Sequence, residues 1–316
     1  MSSLKERVRS ALFGLGDVAQ HAARVQACYS YYEHLSNVIG RSDYTDGMYF
    51  GVRETGYDRA QAQQIDYLLD EAGVASGTTL LDLGCGRGRL LEAAGDRGAR
   101  AVGITISPEQ VAYCRARGLD TQLLDYKDID ASWDARFDAV IANGSLEHFV
   151  SAGEGMARQA NAVYRRLFEL MHAVVRPGGR LIITAIHHRA RHGTRFDAPM
   201  AHKLMFGMLN KVYGGWYPLH GQLEHCATGR FELVREEDGT QDYLWTCEDA
   251  FRGWLWKLAP TSVDQTRRVL GLARSVVQQG ALAPLYVVNP YLWTWQFRGD
   301  PPPVRLLRQT WKRVDA

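Results

Sequence analysis

The sequence predicts an α/β fold, a mostly parallel Rossmann-like sheet with helices on both faces, on three observations. Short apolar runs alternate with helical patterns from residue 79 to residue 186, as parallel strands joined by helical crossovers require. One of those runs, Leu80-Leu81-Asp82-Leu83, leads directly into Gly84-Cys85-Gly86-Arg87-Gly88 and then an apolar helix start, Arg89-Leu90-Leu91. Glycines there let the backbone adopt positive φ and approach a ligand, and the helix start leaves free N–H groups aimed at whatever lies above the loop. The alternation then breaks after Ile186, which predicts a cap inserted into the sheet domain.

Residues 4–40 read as helix, with Ala27, Tyr31 and Leu35 recurring every four residues. Gly40 to Gly47 is turn chemistry. Residues 58–72 form a second helix with Asp58 as its N-cap. The first strand spans 79–83. Helix 89–96, strand 101–104, helix 108–117, a strand near 121–124 and strand 137–142 follow. A long helix over 154–175 is stopped by Arg176-Pro177-Gly178-Gly179, and strand 180–186 comes next. Beyond it, 187–193 reads as polar loop, 201–212 as helix and 213–218 as loop. Residues 231–235 read as strand and 248–257 and 263–279 as helices. The runs 285–288 and 292–297 are strand-like around an Asn289-Pro290 turn. Arg305, Arg308, Lys312 and Arg313 read as a solvated helix face. The expected organisation is an N-terminal helical segment (1–75), a nucleotide-binding core (76–186), a cap (187–222) and a C-terminal part completing the sheet (223–316).

Of 316 residues, 46% are hydrophobic and 23% charged, enough to bury a sizeable core. A formal net charge of +2 gives no broad nucleic-acid footprint. The five cysteines (Cys28, Cys85, Cys114, Cys226, Cys247) include no CxxC pair, so neither a disulfide framework nor a zinc site is expected, and a reducing cytoplasm is. No run approaches eighteen apolar residues and the N-terminus carries no apolar leader pattern, so no membrane insertion is expected. Aromatic residues concentrate after position 200, which predicts an aromatic acceptor pocket.

A dinucleotide site wants Gly-x-Gly-x-x-Gly and an acid at the end of the second strand. Here the loop is one residue shorter, and the second strand ends Val102-Gly103-Ile104-Thr105-Ile106 with no acid. Both facts weaken a dehydrogenase reading, and no Gly-Lys-Ser/Thr marks a P-loop. The shorter loop after Asp82 suits S-adenosylmethionine, which has an ammonium and a carboxylate but no pyrophosphate. Asp82 either reaches that ammonium or only fixes the loop.

These residues, with Ser107-Pro108-Glu109-Gln110, Gly144-Ser145-Leu146-Glu147-His148-Phe149, Val25 to Tyr29, Met48-Tyr49-Phe50, Tyr213-Gly214-Gly215 and Tyr243 to Thr246, resemble the cyclopropane-fatty-acid and mycolic-acid cyclopropane synthase family. The resemblance covers most of the chain. It implies a class I S-adenosylmethionine-dependent methyltransferase with a seven-stranded sheet. Carried over by position, it places Gly84 and Gly86 at the methionine part of the cofactor and Thr105 and Gln110 at the ribose hydroxyls. Asp125 and Tyr126 flank the adenine, Tyr44 and Thr45 close over the cofactor, and Asn143 joins the cofactor-side set. The family also binds a bicarbonate through a cysteine, a glutamate, a histidine and a tyrosine. Glu147 and Tyr243 match two of these, whereas Gly47 (or Asp46) and Thr184 occupy the other two positions. That loss counts against cyclopropanation by the bicarbonate route and leaves methyl transfer untouched.

Glu147, His148 and Tyr243 are therefore the candidates for acceptor orientation or proton removal, at the carboxyl edge of the sheet where such folds hold ligands. For His148, tying the loop down is the simpler role. Trp216, Tyr217, Tyr243, Trp245, Trp254 and Trp256 are candidates to face a developing cation, although any one of them is better explained as core. His187, His188, His192, His220 and His225 match no metal-ligand spacing, and no metal is expected. Cys85 reads as a small filler. The leading function is methyl transfer to carbon or nitrogen of an apolar or aromatic small molecule. Cyclopropanation or methylation of an unsaturated acyl lipid is the second reading, and a non-catalytic cofactor-binding scaffold the third.

Overall fold

The computed structural model describes residues 21–41, 45–193 and 199–315. Tyr44 and the expected helix before residue 21 lie outside the described residues. Among the rest, the elements in order are α1 (His21–Ile39), α2 (Tyr57–Glu71), β1 (Thr79–Leu83), α3 (Arg89–Asp96), β2 (Arg100–Thr105), α4 (Pro108–Ala116), β3 (Thr121–Leu123), β4 (Phe137–Asn143), α5 (Ala152–Met156), α6 (Ala160–Val174) and β5 (Val175–Arg191). There follow α7 (Met200–Tyr213), β6 (Leu219–His220), α8 (Gln222–Ala227), β7 (Phe231–Asp238), α9 (Thr240–Phe251), α10 (Val263–Gln278), α11 (Ala283–Trp295) and β8 (Val304–Arg313).

The sheet runs β3-β2-β1-β4-β5-β8-β7, seven strands on one path, with β6 as an eighth pairing the end of β5. From β3 to β5 every pair is parallel, while β8 is antiparallel to both β5 and β7. The expected mostly parallel α/β sheet is therefore present. β1 sits centrally and is buried from Leu80 onwards, which is why its sequence is nearly all apolar instead of alternating. Two large clusters pack against the layers. One contains Phe137, Tyr164, Phe168 and Trp311. The other is a helical layer built on Tyr31, Tyr32, Leu35, Tyr213, Tyr243 and Tyr286. Each such side chain contributes roughly 1.5–3 kcal/mol of burial free energy. No helix among the described residues is long and apolar enough to cross a membrane.

Several elements differ from expectation for identifiable reasons. The strand-like runs at 285–288 and 292–297 are one helix, α11, with Pro290 inside it. Pro290 has no N–H for the carbonyl of Tyr286 four residues earlier, and the Tyr31 hydroxyl takes up that carbonyl at 2.8 Å. A tertiary partner thus permits what the local sequence forbids. The basic cluster at 305–313 lies on strand β8, not on a helix, and Arg308 is only 2% exposed. Residues 187–191 are not loop: they extend β5, because His187 pairs with Arg305 of β8 and His188 with Leu219 of β6. Asp58 is not an N-cap. Gly56 precedes the helix, which starts at Tyr57, and Asp58 sits in its first turn facing Arg41 at 3.1 Å. The long helix expected over 154–175 is two, since Ser151 and Glu154 cap α5 reciprocally and Arg158 adopts φ 62° before α6 begins. The helix expected at 248–257 instead spans 240–251.

Candidate functional site: a two-lobed cleft at the glycine loop

The carboxyl ends of β1, β2 and β4 open onto a cleft with two lobes of about 780 and 1020 Å³. Tyr29, Gly84, Gly86, Gln110 and His148 line both, so the glycine loop lies at the partition between them. Gly84, Gly86 and Gly88 all have positive φ, 85°, 53° and 77°. A Cβ on Gly84 would lie 2.7 Å from that of Ser145, whereas a Cβ on Gly86 would meet nothing within 4 Å and would simply occupy the cleft. The loop can turn under the strands because Gly103 of β2 leaves space: a Cβ there would come within 2.7 Å of the Cys85 sulfur. Cys85 is thus a filler with a free thiol, which hydrogen bonding with the Cys114 thiol and burial push up.

The first lobe is the smaller one. Thr105 at the end of β2 and Gln110 in the first turn of α4 line it, both buried, and the Thr105 hydroxyl donates to Gln110 Oε1 at 2.7 Å. Ser107 caps that helix by accepting from the Gln110 N–H at 3.3 Å. Asp125 and Tyr126 lie opposite. Asp125 accepts from the Lys127 N–H at 3.0 Å, and the Tyr126 ring stacks on Phe149 with centroids 4.2 Å apart.

The second lobe brings Thr45, Asp82, Asn143 and Tyr243 to the same loop. Asp82 is 3% exposed. Asn143 accepts from Gln64 Nε2 at 2.8 Å and from the Thr184 hydroxyl at 2.7 Å. The sequence assigned no cleft role to the other walls of this lobe: Tyr29 and Tyr213, quoted only as motif residues, Tyr32 from α1 and Trp293 from α11. Tyr29, Tyr32, Glu33 and Ser36 share one face of α1 at spacings of three and four, a signal available in the sequence. Trp293 was hidden by the strand-like reading of its helix. Its ring meets Tyr213 edge-on at 4.6 Å, Tyr32 at 5.5 Å and Tyr243 at 6.1 Å. Of the six aromatic residues proposed from sequence, Tyr243 alone lines the cleft. Trp216 packs on Gly155, Trp245 lies edge-on to Tyr49, and Trp256 is 85% exposed.

Glu147 and His148 occupy a short turn after β4. Glu147 Oε1 accepts from the Ile186 N–H at 2.7 Å. Its Oε2 is shielded from solvent and has no hydrogen-bond partner among the described residues. Burial, opposed only in part by backbone hydrogen bonds, pushes this carboxyl up to about 7. Glu147 lies behind the cleft wall, one residue from His148. The His148 ring lines both lobes and reaches the Tyr213 carbonyl at 3.3 Å, and its own carbonyl contacts His21 Nε2 at 2.6 Å. Burial holds the imidazole neutral, down to about 4.

At the two positions where the resemblance lacks its bicarbonate ligands, the space is otherwise engaged. A Cβ on Gly47 would be 2.8 Å from that of Ala60, so a cysteine has no room there, and the Thr184 hydroxyl is committed to Asn143. Of the five histidines considered from sequence, His187 and His188 are buried and held neutral, down to about 3 and about 4. His220 joins Glu224 and Glu236 in a cluster away from the cleft.

A family model described as mycolic acid cyclopropane synthetase matches residues 19–260. Cyclopropane mycolic acid synthase 1 of Mycobacterium tuberculosis is 26% identical over 255 residues, 77% of this chain and 83% of that protein. A probable fatty acid methyltransferase of Pseudomonas putida is 35% identical over 149 residues, 42% of this chain. The match spans only 37% of that relative's length, and 30% for a tuberculostearic acid methyltransferase of M. tuberculosis. The same fold is seen in the cyclopropane synthase MmaA2 of M. tuberculosis, with a TM-score of 0.72 at 19% identity over 94% of this chain and 100% of that one. On the family match, which runs from α1 through the glycine loop to α9 and beyond, this chain belongs to the mycolic acid cyclopropane synthetase family, a family of S-adenosylmethionine-dependent methyltransferases.

Proposed function

We propose that the chain binds S-adenosylmethionine across the glycine loop and methylates carbon or nitrogen of an apolar or aromatic small molecule held in the second lobe. The observation that carries this reading is the partition of one cleft by Gly84 and Gly86 into a lobe lined by Thr105, Gln110, Asp125 and Tyr126 and a lobe walled by Tyr32, Tyr213, Tyr243 and Trp293. The residues fit the cofactor: Gly86 leaves open space where any side chain would intrude, and Thr105 and Gln110 present a hydroxyl and an amide to the first lobe. When bound, the cofactor supplies an electrophilic methyl group on a sulfonium whose thioether leaves uncharged.

In this reading Gly84, Gly86, Asp82, Asn143 and Thr45 hold the amino-acid end. Thr105 and Gln110 hold the ribose, and Asp125 and Tyr126 the adenine. Most of the work left to the protein is positioning, which can supply roughly 7–11 kcal/mol of a barrier. The aromatic walls exclude water and present ring faces to positive charge, worth roughly 0.5–2 kcal/mol each. Glu147 is the proton acceptor when the acceptor must lose a proton, because its free oxygen sits out of water with a carboxyl poised near neutrality. His148, neutral and bonded to Tyr213, orients the wall between the lobes, and Tyr243 orients the acceptor. Among the described residues, α1 closes over the cofactor and α7 caps the acceptor side. The setting is cytoplasmic, with no nucleic-acid partner.

The relatives' names give a second reading, methylation or cyclopropanation of an unsaturated acyl lipid. Incubating the protein with S-adenosylmethionine and separate panels of aromatic amines, prenyl compounds and unsaturated fatty acids, followed by product mass and double-bond count, decides between them. A methylated amine or prenyl product supports the first reading, a methylated fatty acid that keeps its double bonds supports lipid methylation, and a fatty-acid product with one fewer supports cyclopropanation. Tight S-adenosylhomocysteine binding with no turnover on any panel would favour a scaffold.

A further inference from the structure

The notable group outside the cleft is Arg308, read from sequence as a solvated cation and found at the centre of the fold. It lies on β8, in register with Thr184 of β5 on one side and Glu237 of β7 on the other. Its guanidinium is 2% exposed and donates to three acceptors from two distant segments. Nε reaches Asp46 Oδ2 at 2.8 Å, and Nη2 reaches the Gly47 carbonyl at 3.0 Å and Asp242 Oδ2 at 3.0 Å. Asp46 is 1% exposed. The space was kept for this group: a Cβ on Gly239 would lie 2.8 Å from the guanidinium carbon.

Both acidic partners neighbour residues that line the second lobe. Asp46 follows Thr45, and Asp242 precedes Tyr243. The two segments are also stitched directly. The Gly47 N–H donates to the Thr246 hydroxyl at 2.8 Å, and the Tyr49 N–H to Asp242 Oδ1 at 3.3 Å. From Asp46 a polar path continues into the lobe. Gln64 Nε2 lies 3.4 Å from Asp46 Oδ1 and donates to Asn143 Oδ1 at 2.8 Å. A buried ion cluster is a poor way to gain stability, since well-packed apolar residues do as well or better. It is a good way to fix geometry, because the rigid guanidinium fork admits few arrangements of its acceptors.

We infer that Arg308 is a positioning residue: one buried cation sets the loop carrying Thr45 against the helix carrying Tyr243, and so fixes the wall of the cofactor cleft. The inference rests on the cofactor reading above. That reading is tested separately by titrating the wild-type protein with S-adenosylhomocysteine.

The inference itself is tested in two ways. In Arg308→Lys the charge stays and the fork is lost; S-adenosylhomocysteine should bind about tenfold more weakly by calorimetry. In the neutral triple variant Arg308→Met, Asp46→Asn, Asp242→Asn, no charge is left buried and unpaired. Its melting temperature should recover, while affinity stays about tenfold down. A purely structural role predicts that affinity returns together with melting temperature, and that result overturns the inference. Wild-type affinity in folded Arg308→Lys also overturns it. The second measurement needs no variant: adding S-adenosylhomocysteine to the wild-type protein should slow hydrogen exchange at the Gly47 and Tyr49 amides and across α9 together. Protection of the glycine loop without protection of those amides would sink the idea.

Discussion

The two lobes of the cleft are built in opposite ways. The first is made by backbone. Strand ends, a glycine turn and one helix start between β1 and α4 supply its polar floor, with α1, Asp125, Tyr126 and the turn after β4 around it, and the turn depends on positive φ at three glycines. The second is made by side chains. Tyr32, Tyr213, Tyr243 and Trp293 come from α1, α7, α9 and α11, helices spread across most of the chain. A site made by backbone tolerates sequence drift and keeps one ligand. A site made by convergent side chains can be re-cut by substitutions at single positions, so the acceptor is where this chain is free to differ from its relatives.

Glu147 lies just behind the wall that His148 forms between the lobes, and its replacement gives the largest expected effect. Glu147→Gln should lower turnover by roughly 10²–10⁴ and leave S-adenosylhomocysteine affinity unchanged; equal turnover would remove Glu147 from the chemistry. The wild-type kcat/KM should rise with pH through about 7, where this carboxyl loses its proton, and the variant should lack that limb. The same group bears on stability. Its folded value is raised from 4.5 to about 7, so the folded state holds the proton more tightly than the unfolded one. Stability should therefore fall as pH rises through that window, by up to about 3 kcal/mol, and Glu147→Gln should flatten the slope in denaturant titrations.

Next comes the backbone lobe. Gly86→Val places a branched side chain at φ 53° in open cleft, and should weaken S-adenosylhomocysteine binding about 100-fold, roughly 3 kcal/mol. Retained affinity would break the contrast, since the loop would then not be the partition. Trp293→Ala sharpens the other side. It should raise the acceptor KM about tenfold, roughly 1.4 kcal/mol, with cofactor affinity within error; a loss confined to the cofactor would reverse the assignment of the lobes. The smallest effect is expected for Tyr32→Phe. The Tyr32 hydroxyl bonds those of Tyr213 and the Asn289 amide, so its loss should cost about 1 kcal/mol of stability, read as a lower melting temperature with turnover little changed.

The same contrast explains what the sequence made legible. The strand, glycine turn and helix of the first lobe were readable because local backbone chemistry is written in local residues. Thr105, Gln110, Asp125 and Tyr126 then followed from family resemblance, and all four line that lobe. Trp293 and Arg308 were not legible. Their helix and strand are stabilised by partners far along the chain, Tyr31 taking up the Tyr286 carbonyl and Asp46 pairing Arg308, so propensity misled at both. Tyr213 and Tyr243 were visible as motif residues, but nothing in their spacing indicated that they converge on Trp293.

β8 slots between β5 and β7, and β7 has no other neighbour in the sheet among the described residues. β7 ends at residue 238 and β8 begins at 304, with α9, α10 and α11 between them. Pairings over such separations reward the chain only after the closure entropy has been met. During synthesis, β7 must therefore wait beside an incomplete sheet until β8 has left the ribosome. A nascent chain halted before residue 304 would already hold the whole glycine loop, yet it would expose the bare outer edge of β5, a template for pairing with another molecule. The antiparallel strand is thus the step at which translation covers the β5 edge and joins β7 to the sheet.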